Sequence, residues 1–327
     1  MMMGRCAPYG VPNGPLSSGS CATHADNSKK RRGRAAIRGP RVSTLERVAD
    51  IAGGYRLAAA RDVISAVEWD LVASGVRQRV RALEAFLADV YGEGRAFDDG
   101  VLPWRLVFGS EKFRREVTGV VPPNGVRVHV AAVDLVRGED GRFRVLGHNV
   151  GIPPGTSYPG EYPSRLLGAL RAAAPHGVAD PFVVLLTPGE HAPLAGLMGV
   201  ELAEGRDLSC HQNRVYLRGR RQVDVIYRLV DDDWLDPLHF RPDSGLGCPG
   251  LLNAARSGTV TIANAVGNGI AGDTLVHPCL PALVGYYLGE EPLLGTAEPG
   301  RHDDGLRLFT VHDGSNVWVL PGEPRGG

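Results

Sequence analysis

The stretch that decides the fold runs from residue 223 to residue 273 and reads VDVIYRLVDDDWLDPLHFRPDSGLGCPGLLNAARSGTVTIANAVGNGIAGD. It begins with an apolar run that ends at Arg228 and has the β-branched and aromatic content of a buried strand. An acidic segment follows, and a second β-branched run, Thr259–Ala263, leads into the Gly-rich turn Gly267–Gly269. This order predicts a strand, a functional loop, a short helix and another strand, which is typical of an α/β fold.

Two earlier runs add strands to this unit. Phe182–Leu186 is an apolar run between two prolines, and Gly199–Leu202 is a second short strand after the helix-like segment Ala192–Met198. Together with the strands near 223 and 259 they predict a small parallel or mixed sheet of Rossmann type. No G-x-G-x-x-G sequence follows the first strand, so the pattern does not indicate a dinucleotide site.

The N-terminal half predicts a helical part and a hairpin. Apolar residues recur at helical spacing between residues 63 and 91, which indicates one amphipathic helix or two helices broken near Gly75. After the turn signal Pro122–Gly125, the segment Val126–Val136 alternates as a strand. Arg137–Gly141 then makes the hairpin turn to a second strand.

Composition places the chain among ordinary globular proteins. Its 327 residues are 43% hydrophobic and 22% charged, and the formal net charge is zero. A chain with no net charge has no overall electrostatic attraction to nucleic acid or to an anionic membrane, so we expect neither as a partner. No apolar run approaches the ~20 residues that span a bilayer.

The cysteines and the N-terminus indicate a reduced, cytoplasmic location. The five cysteines are scattered without a C-x-x-C pair, and no apolar core of a signal peptide is present. Residues 1–40 are rich in Gly, Pro, Ser and Arg and are predicted to be a disordered basic tail. The basic run Lys29–Arg34 could instead be a nucleic-acid patch or a localisation signal, and the start codon could be assigned too far upstream.

The segment from Val223 onward resembles, with its spacing intact, a phrase of the circularly permuted ATP-grasp proteins of the second type. The sequences FLADVYG at 86–92 and YYLGEEP at 286–292 extend the resemblance. It implies an α/β fold with a Rossmann-like substrate-side sheet and a circularly permuted ATP-grasp part. Related members are the glutathionylspermidine-synthase-like and permuted glutathione-synthetase-like ligases. These join a small-molecule carboxylate to an amine and use ATP and magnesium.

The resemblance also implies a division of the chain into four parts. Residues 1–40 are the tail, and 41–180 contain the N-terminal helices and an ATP-grasp-like hairpin. Residues 181–294 form the Rossmann-like substrate-side domain, and 295–327 are a short remnant of the C-terminal ATP-grasp part. We therefore expect the ATP-grasp part to be incomplete and the chain to be truncated and divergent.

Six residues are candidates for the site, from the resemblance and from the affinity of arginine for anions. The predicted roles are substrate contact for Arg137, Ser157 and Arg228, nucleotide contact for Asp273 and Arg307, and magnesium binding for Asn149. The alternative role of Asn149 is a turn-capping amide.

Two positions depart from the family pattern at the nucleotide. Gly147 stands where the family has a Glu that holds magnesium with the Asn, and Thr274 stands where it has a phosphate-contacting Lys. The acidic run Asp231–Asp233 could suggest metal binding, but a solvated acidic loop or a helix cap is the favoured interpretation.

These departures lead to three hypotheses. The first is a ligase relative with impaired or no catalysis, a pseudoenzyme acting as a binding or partner subunit, with another protein or its own copy as partner. The second is an active ATP- and magnesium-dependent ligase in which Arg137, Arg228 and Arg307 converge on the phosphates. The third is a product with no selected role.

Overall fold

The structure is a computed structural model, and it describes residues 45–47, 55–57, 63–153, 160–189, 191–298 and 305–324. The helices are α1 Ala66–Val90, α2 Arg95–Asp98, α3 Trp104–Phe108, α4 Tyr162–Ala172, α5 Ala192–Met198, α6 Asp232–Leu235, α7 Leu251–Arg256 and α8 Leu280–Leu288. The strands are β1 Leu45–Arg47, β2 Tyr55–Leu57, β3 Val63–Ile64, β4 Val130–Arg137, β5 Phe143–Asn149, β6 Val183–Leu186, β7 Glu201–Ala203, β8 Leu208–His211, β9 Arg214–Leu217, β10 Arg221–Val223, β11 Val225–Arg228, β12 Thr261–Ala263, β13 Gly295–Thr296, β14 Leu306–His312 and β15 Val317–Pro324. The predicted tail, residues 1–40, and the candidate Ser157 lie outside the described residues.

The predicted Rossmann-like strands form a four-stranded parallel sheet in the order β12-β11-β6-β7. The first of these strands in the chain, β6, lies inside the sheet, with the next strand on one side and the later two on the other. The chain therefore leaves β6 toward one edge of the sheet and returns to β11 on its other side. Open α/β sheets bind ligands in the crevice at the carboxyl ends of two strands related in this way. The predicted α/β class is confirmed.

The predicted hairpin belongs to a second, five-stranded sheet in the order β13-β5-β4-β14-β15. On one face of β4, Val133 belongs to the same buried cluster as Val76 of α1, and on the other face Ala132 belongs to the same cluster as Leu166 of α4. Strand β14 comes from the segment predicted to be a short remnant, and it pairs directly with β4. The segments on both sides of the Rossmann-like part thus complete one sheet.

Helix α1 is one unbroken element, so the alternative of two helices broken near Gly75 is wrong. Its N-terminus carries a capping box, in which the Ser65 hydroxyl accepts from the Glu68 N–H and the Glu68 carboxylate accepts from the Ser65 N–H. Gly75 does not interrupt the helix. It allows Leu294 to pack closely against α1, because a Cβ at this position would lie 2.4 Å from Cγ of Leu294.

A three-stranded antiparallel meander, β8-β9-β10, follows β7 and was missing from the sequence interpretation. Its first turn places Gln212 and Asn213 at φ values of 49° and 56°, and its second begins at Arg218 with a φ of 50°. Two consecutive left-handed residues are the signature of a type I′ hairpin turn. The first turn lacks the glycine that usually marks this turn in a sequence.

Between positions 42 and 327, the residues that the structure describes form one contact unit. The predicted boundaries at residues 180 and 294 stay a prediction. Among the residues that the structure describes, no helix combines the length and the apolar content needed to cross a bilayer.

Candidate functional site

A pocket of about 260 Å³ lies at the carboxyl end of β11 and beside the Gly-rich turn that follows β12. Its wall includes Lys112, Arg114, Arg228 and the loop from His148 to Ile152. Asp231 and Asp232 contribute negative charge to the same wall. The pocket therefore occupies the position where an open α/β sheet binds its ligand, with side chains from both sheets around it.

Arg228 is the last residue of β11 and is only 1% exposed. Its guanidinium donates to the carbonyl oxygens of Asn264, Val230 and Ala265 at 2.9, 2.8 and 3.2 Å. It also forms an ion pair with Asp232 at 2.6 Å. Because a guanidinium has five N–H donors, these contacts leave few for a ligand, and Arg228 chiefly holds the pocket wall.

The interpretation of the acidic run as solvated is wrong for Asp232. Its carboxylate is buried, accepts from the Gly267 N–H at 3.0 Å and pairs with Arg228. The same holds for Asp236 further along the loop, which is fully buried and accepts from the N–H groups of Gly250 and Leu252. Buried backbone donors need acceptors, and these carboxylates supply them.

Lys112 is the pocket cation that sequence reasoning missed. It is exposed and, among the described residues, no carboxylate oxygen lies within 4.0 Å of its ammonium. Burial is the largest cause of the lowered pKa of His148, and the charge of Lys112 makes a small addition to it. For Asp273, burial acts to raise the pKa, but the hydrogen bonds from Ser110 and Leu275, with a small addition from the charge of Lys112, lower it below its usual value. One signal was available in the sequence, since the only other lysines are Lys29 and Lys30 in the tail.

Arg114 lines both this pocket and a separate surface groove that also contains Asp233 and Phe240. It pairs with Asp233 at 2.8 Å and lies 3.9 Å from Asp232, so its charge is largely compensated. Its guanidinium also donates to the Glu111 carbonyl at 2.7 Å. Among the described cations of the wall, Lys112 is therefore the one without a carboxylate partner.

The Gly-rich turn is fixed by contacts to the end of α1 and to the loops that flank β4 and β5. Gly267 has a φ of +90°, and a Cβ there would lie 2.6 Å from the Tyr91 hydroxyl, which donates to the Gly267 carbonyl. Asn268 is fully buried and donates to the carbonyl oxygens of Arg127 and Val150. The turn can therefore present its backbone to the pocket without moving.

A second pocket, of about 520 Å³, shares His148 with the first and is lined by Gly147, Thr274 and His277. The His148 Nε2–H donates to the Ala271 carbonyl at 2.5 Å, and its Nδ1 lies 3.4 Å from Nδ1 of His277. Burial is the main cause that lowers the pKa of His148 to about 3, and the charge of nearby Arg79 adds to it. Both imidazoles are therefore neutral at pH 7.

The second pocket lacks the acid that the resemblance pairs with Asn149 for magnesium, and Glu298 is the carboxylate among its described lining residues. Magnesium prefers hard oxygen ligands, usually one or two carboxylates. The two positions where the resemblance implies an acid and a lysine carry Gly147 and Thr274, which have no charge. Within the described ranges no group of three or more His, Cys, Asp or Glu side chains is placed to hold a metal ion.

The structure brings three of the predicted site residues to the first pocket. Arg228 and Asn149 line it, and Asp273 is adjacent, accepting from the Ser110 hydroxyl at 2.5 Å. The Asn149 amide accepts from the Gly151 N–H and donates to the Ile152 carbonyl, which are the contacts of a turn-capping side chain.

Arg137 and Arg307 lie elsewhere. Arg137 pairs with Glu68 of α1 at 2.7 Å, on the face of β4 that packs against this helix. Arg307 pairs with Asp134 at 2.7 Å, on the opposite face of the same sheet. Arg137, Arg228 and Arg307 therefore do not converge on one ligand in this structure.

Comparison with known proteins gives two family matches. Residues 62–161 match the family described as circularly permuted ATP-grasp type 2, and residues 159–311 match the one described as a circularly permuted ATP-grasp. An uncharacterized protein of Mycobacterium tuberculosis is 49% identical over 269 aligned positions, which cover 72% of this chain and 49% of the relative. An uncharacterized protein of Synechocystis is 41% identical over 265 positions, covering 71% of this chain and 55% of the relative.

A more distant relative carries a functional name. A protein of Frankia casuarinae named "Putative glutamate--cysteine ligase 2-2" is 40% identical over 267 positions, covering 71% of this chain and 31% of the relative. The chain spans about half the length of the first of these relatives. The two family matches together cover helix α1, the four-stranded sheet, the five-stranded sheet except β15, and the pocket residues, and on these grounds the chain belongs to the circularly permuted ATP-grasp family.

Proposed function

We propose that this chain binds a small-molecule carboxylate in the pocket beside Lys112, and that it is impaired in the ATP-dependent carboxylate–amine ligation implied by its family. The observation that carries the proposal is the contrast between the two pockets. The first has a cation without a carboxylate partner among the described residues, and the second has neutral side chains at the acid and lysine positions.

The first pocket suits a carboxylate because its strongest available contact is a single exposed ammonium. A Lys ammonium is a compact point charge that pairs readily with an anionic group. The exposed Asp231 on the same wall would meet the positive end of a zwitterionic ligand such as an amino acid. The name of the Frankia relative makes glutamate a sensible first probe of this chemistry.

The proposed impairment rests on transition-state electrostatics. Ligases of this kind activate the carboxylate as an acyl phosphate, and cations and metal ions must neutralise the charge that develops on the phosphates. Removal of one such donor typically costs ~10²–10³ in rate. With Gly147 and Thr274 in place of an acid and a lysine, two contributions are missing at once.

The alternative of an active ligase using arginines has less support. Most N–H donors of Arg228 bond to carbonyl groups and to Asp232. Arg137 pairs with Glu68 and Arg307 pairs with Asp134, on opposite faces of the five-stranded sheet. Ligation would require these pairs to break and the side chains to move together.

Thermal unfolding with added ligands tests the proposal, because a ligand that binds the folded state raises Tm. We expect millimolar L-glutamate to raise Tm, and ATP with magnesium to leave it unchanged. The Lys112→Ala variant is expected to lose the glutamate shift. Arg115→Ala is the matched control, since it removes the same charge from a side chain that is 88% exposed three residues away.

Two outcomes would contradict the proposal at separate points. A glutamate shift that survives Lys112→Ala would remove the carboxylate from this pocket. Tight magnesium-dependent ATP binding by calorimetry, with phosphate released when a carboxylate and an amine are added, would replace the impaired protein with a working ligase.

A further inference from the structure

Two cysteines far apart in the sequence lie side by side in the fold. Cys210 is on β8 and Cys248 precedes α7, and their sulfur atoms are 3.7 Å apart. Cys248 is 1% exposed, whereas Cys210 is half-buried. The third described cysteine, Cys279, packs against the core and its thiol donates to the Leu275 carbonyl at 3.8 Å.

The backbone holds both thiols in place. The Cys248 N–H donates to the Leu235 carbonyl at 3.0 Å, and Asp236 accepts from the next turn at Gly250 and Leu252. On the other side, Cys210 pairs in register with Val215 of β9. The two sulfur atoms are thus brought together by ordered elements, so little chain entropy remains to be lost when a bond forms between them.

We infer that Cys210 and Cys248 form a redox-sensitive dithiol, which hydrogen peroxide or a related hydroperoxide converts into a disulfide. An S–S bond is about 2.05 Å long, so the sulfur atoms must approach by about 1.7 Å. Rotation about the two Cα–Cβ bonds supplies movements of this size. The proposal is independent of what the pocket binds.

The reaction balances without any group that the structure lacks other than the peroxide. One thiolate attacks a peroxide oxygen, so that an S–O bond forms, the O–O bond breaks and one water leaves after protonation. The second thiolate attacks the resulting sulfenic sulfur, the S–S bond forms, and the S–O oxygen leaves as a second water. The sulfur atoms lose two electrons in total and the peroxide gains them, and the two thiol protons end in the waters.

The crosslink would enclose the segment that builds the pocket wall. The loop between the two cysteines contains β9, β10, β11 and α6, and therefore Arg228 and Asp232. A disulfide across a loop of this length restricts the unfolded chain and stabilises the folded state. We expect oxidation to raise Tm and reduction to reverse the shift.

Peptide mapping of the full-length reduced protein tests the inference directly. After stoichiometric hydrogen peroxide and alkylation of the remaining thiols, tryptic digestion without reductant should join the peptide Asp207–Arg214 to the peptide Leu229–Arg256, since trypsin does not cleave the Arg241–Pro242 bond. The joined mass should be lower than the sum of the two peptides by two hydrogen atoms. Treatment with a phosphine reductant should separate them.

Variants make the result specific. Cys279→Ser should leave the crosslink and the Tm shift unchanged, while Cys210→Ser should remove both. The fold of Cys210→Ser is checked by comparing its Tm with that of the reduced wild-type protein. Conversion of Cys210 to sulfinic acid without a crosslink, or a crosslink to Cys279 instead, would overturn the inference.

Discussion

At the scale of single residues, His129 shows how burial decides a charge state. It lies just before β4 and is fully buried, and neither ring nitrogen has a hydrogen-bond partner in the described part of the chain. Burial is the first cause that lowers its pKa to about 3, and the charge of His312 is the second. The imidazole therefore stays neutral in the folded protein at a pH where an exposed histidine is charged.

The first prediction concerns acid stability. A histidine whose folded pKa lies below its unfolded value of about 6.5 opposes folding once the unfolded chain takes up the proton. This group therefore does not destabilise the folded protein above about pH 6.5, and it destabilises it increasingly as the pH drops from 6.5 toward 3. The variant His129→Leu loses no hydrogen bond. As the pH falls through this range, we expect its free energy of unfolding to decrease less steeply than that of the wild type, and the two slopes should differ by up to about 1.4 kcal/mol per pH unit.

Urea unfolding at pH 7, 5 and 4 measures this slope. His176→Leu is the control, because His176 is exposed and its replacement should leave the slope of the wild-type protein. Identical slopes for His129→Leu and the wild type would show that His129 takes up its proton while folded.

At the scale of elements, two glycines inside helices have opposite roles. Gly75 lies in α1, and a Cβ there would overlap Cγ of Leu294, which is buried in the core between α1 and the five-stranded sheet. Gly168 lies in α4, is exposed, and has nothing within 4 Å of an added Cβ. The same residue type is thus required by packing in one helix and carries only an entropic cost in the other.

The second prediction compares the two alanine substitutions. Gly168→Ala should raise the free energy of unfolding by roughly 0.5–1 kcal/mol, since alanine is the better helix former. Gly75→Ala should lower it by about 1–3 kcal/mol, because overpacking outweighs the same gain in helix propensity. Urea denaturation monitored by circular dichroism measures both, and a stabilised Gly75→Ala would show that Leu294 can move aside.

At the scale of the whole molecule, one asparagine joins the two large sheets. Asn264 follows β12 and is 1% exposed. Its carbonyl oxygen accepts from the N–H groups of His129 and Val130 at the start of β4, each at 2.8 Å. Its amide donates to the carbonyls of Val130, Val150 and Gly151, the last two in the pocket loop. The relative position of the pocket walls therefore depends on this side chain.

The third prediction follows from those contacts. Asn264→Ala leaves two buried N–H groups and several carbonyls without partners, at a cost of about 1–3 kcal/mol for each unsatisfied group that water cannot reach. We expect a loss of at least about 3 kcal/mol in urea denaturation and a weaker glutamate-induced Tm shift. Asn253→Ala, which removes from the half-buried Asn253 of α7 only an exposed hydrogen bond with Arg256, should change stability by less than about 0.5 kcal/mol.

If Asn264→Ala unfolds at the same urea concentration as the wild type, waters or neighbouring groups must replace the hydrogen bonds of the Asn264 side chain.

The sequence by itself determined the α/β class, the four strands of the Rossmann-like sheet and the β4–β5 hairpin, while it left open whether that sheet is parallel or mixed. These elements follow from apolar periodicity and turn residues, which act between neighbours along the chain. The capping box at Ser65 and Glu68 is equally local. The resemblance to the ATP-grasp family could also be recognised from the sequence, because it lies in a contiguous segment that begins at Val223.

Only the tertiary structure decided which charged residues share a pocket. Lys112 reaches the site because the loop before β4 lies against the Gly-rich turn more than 150 residues later, and no local pattern encodes that approach. Asp232 is buried rather than solvated because the Gly267 N–H and Arg228 need its carboxylate. Charge pairing and burial depend on contacts between distant segments, so their outcome is fixed only when the sheets pack together.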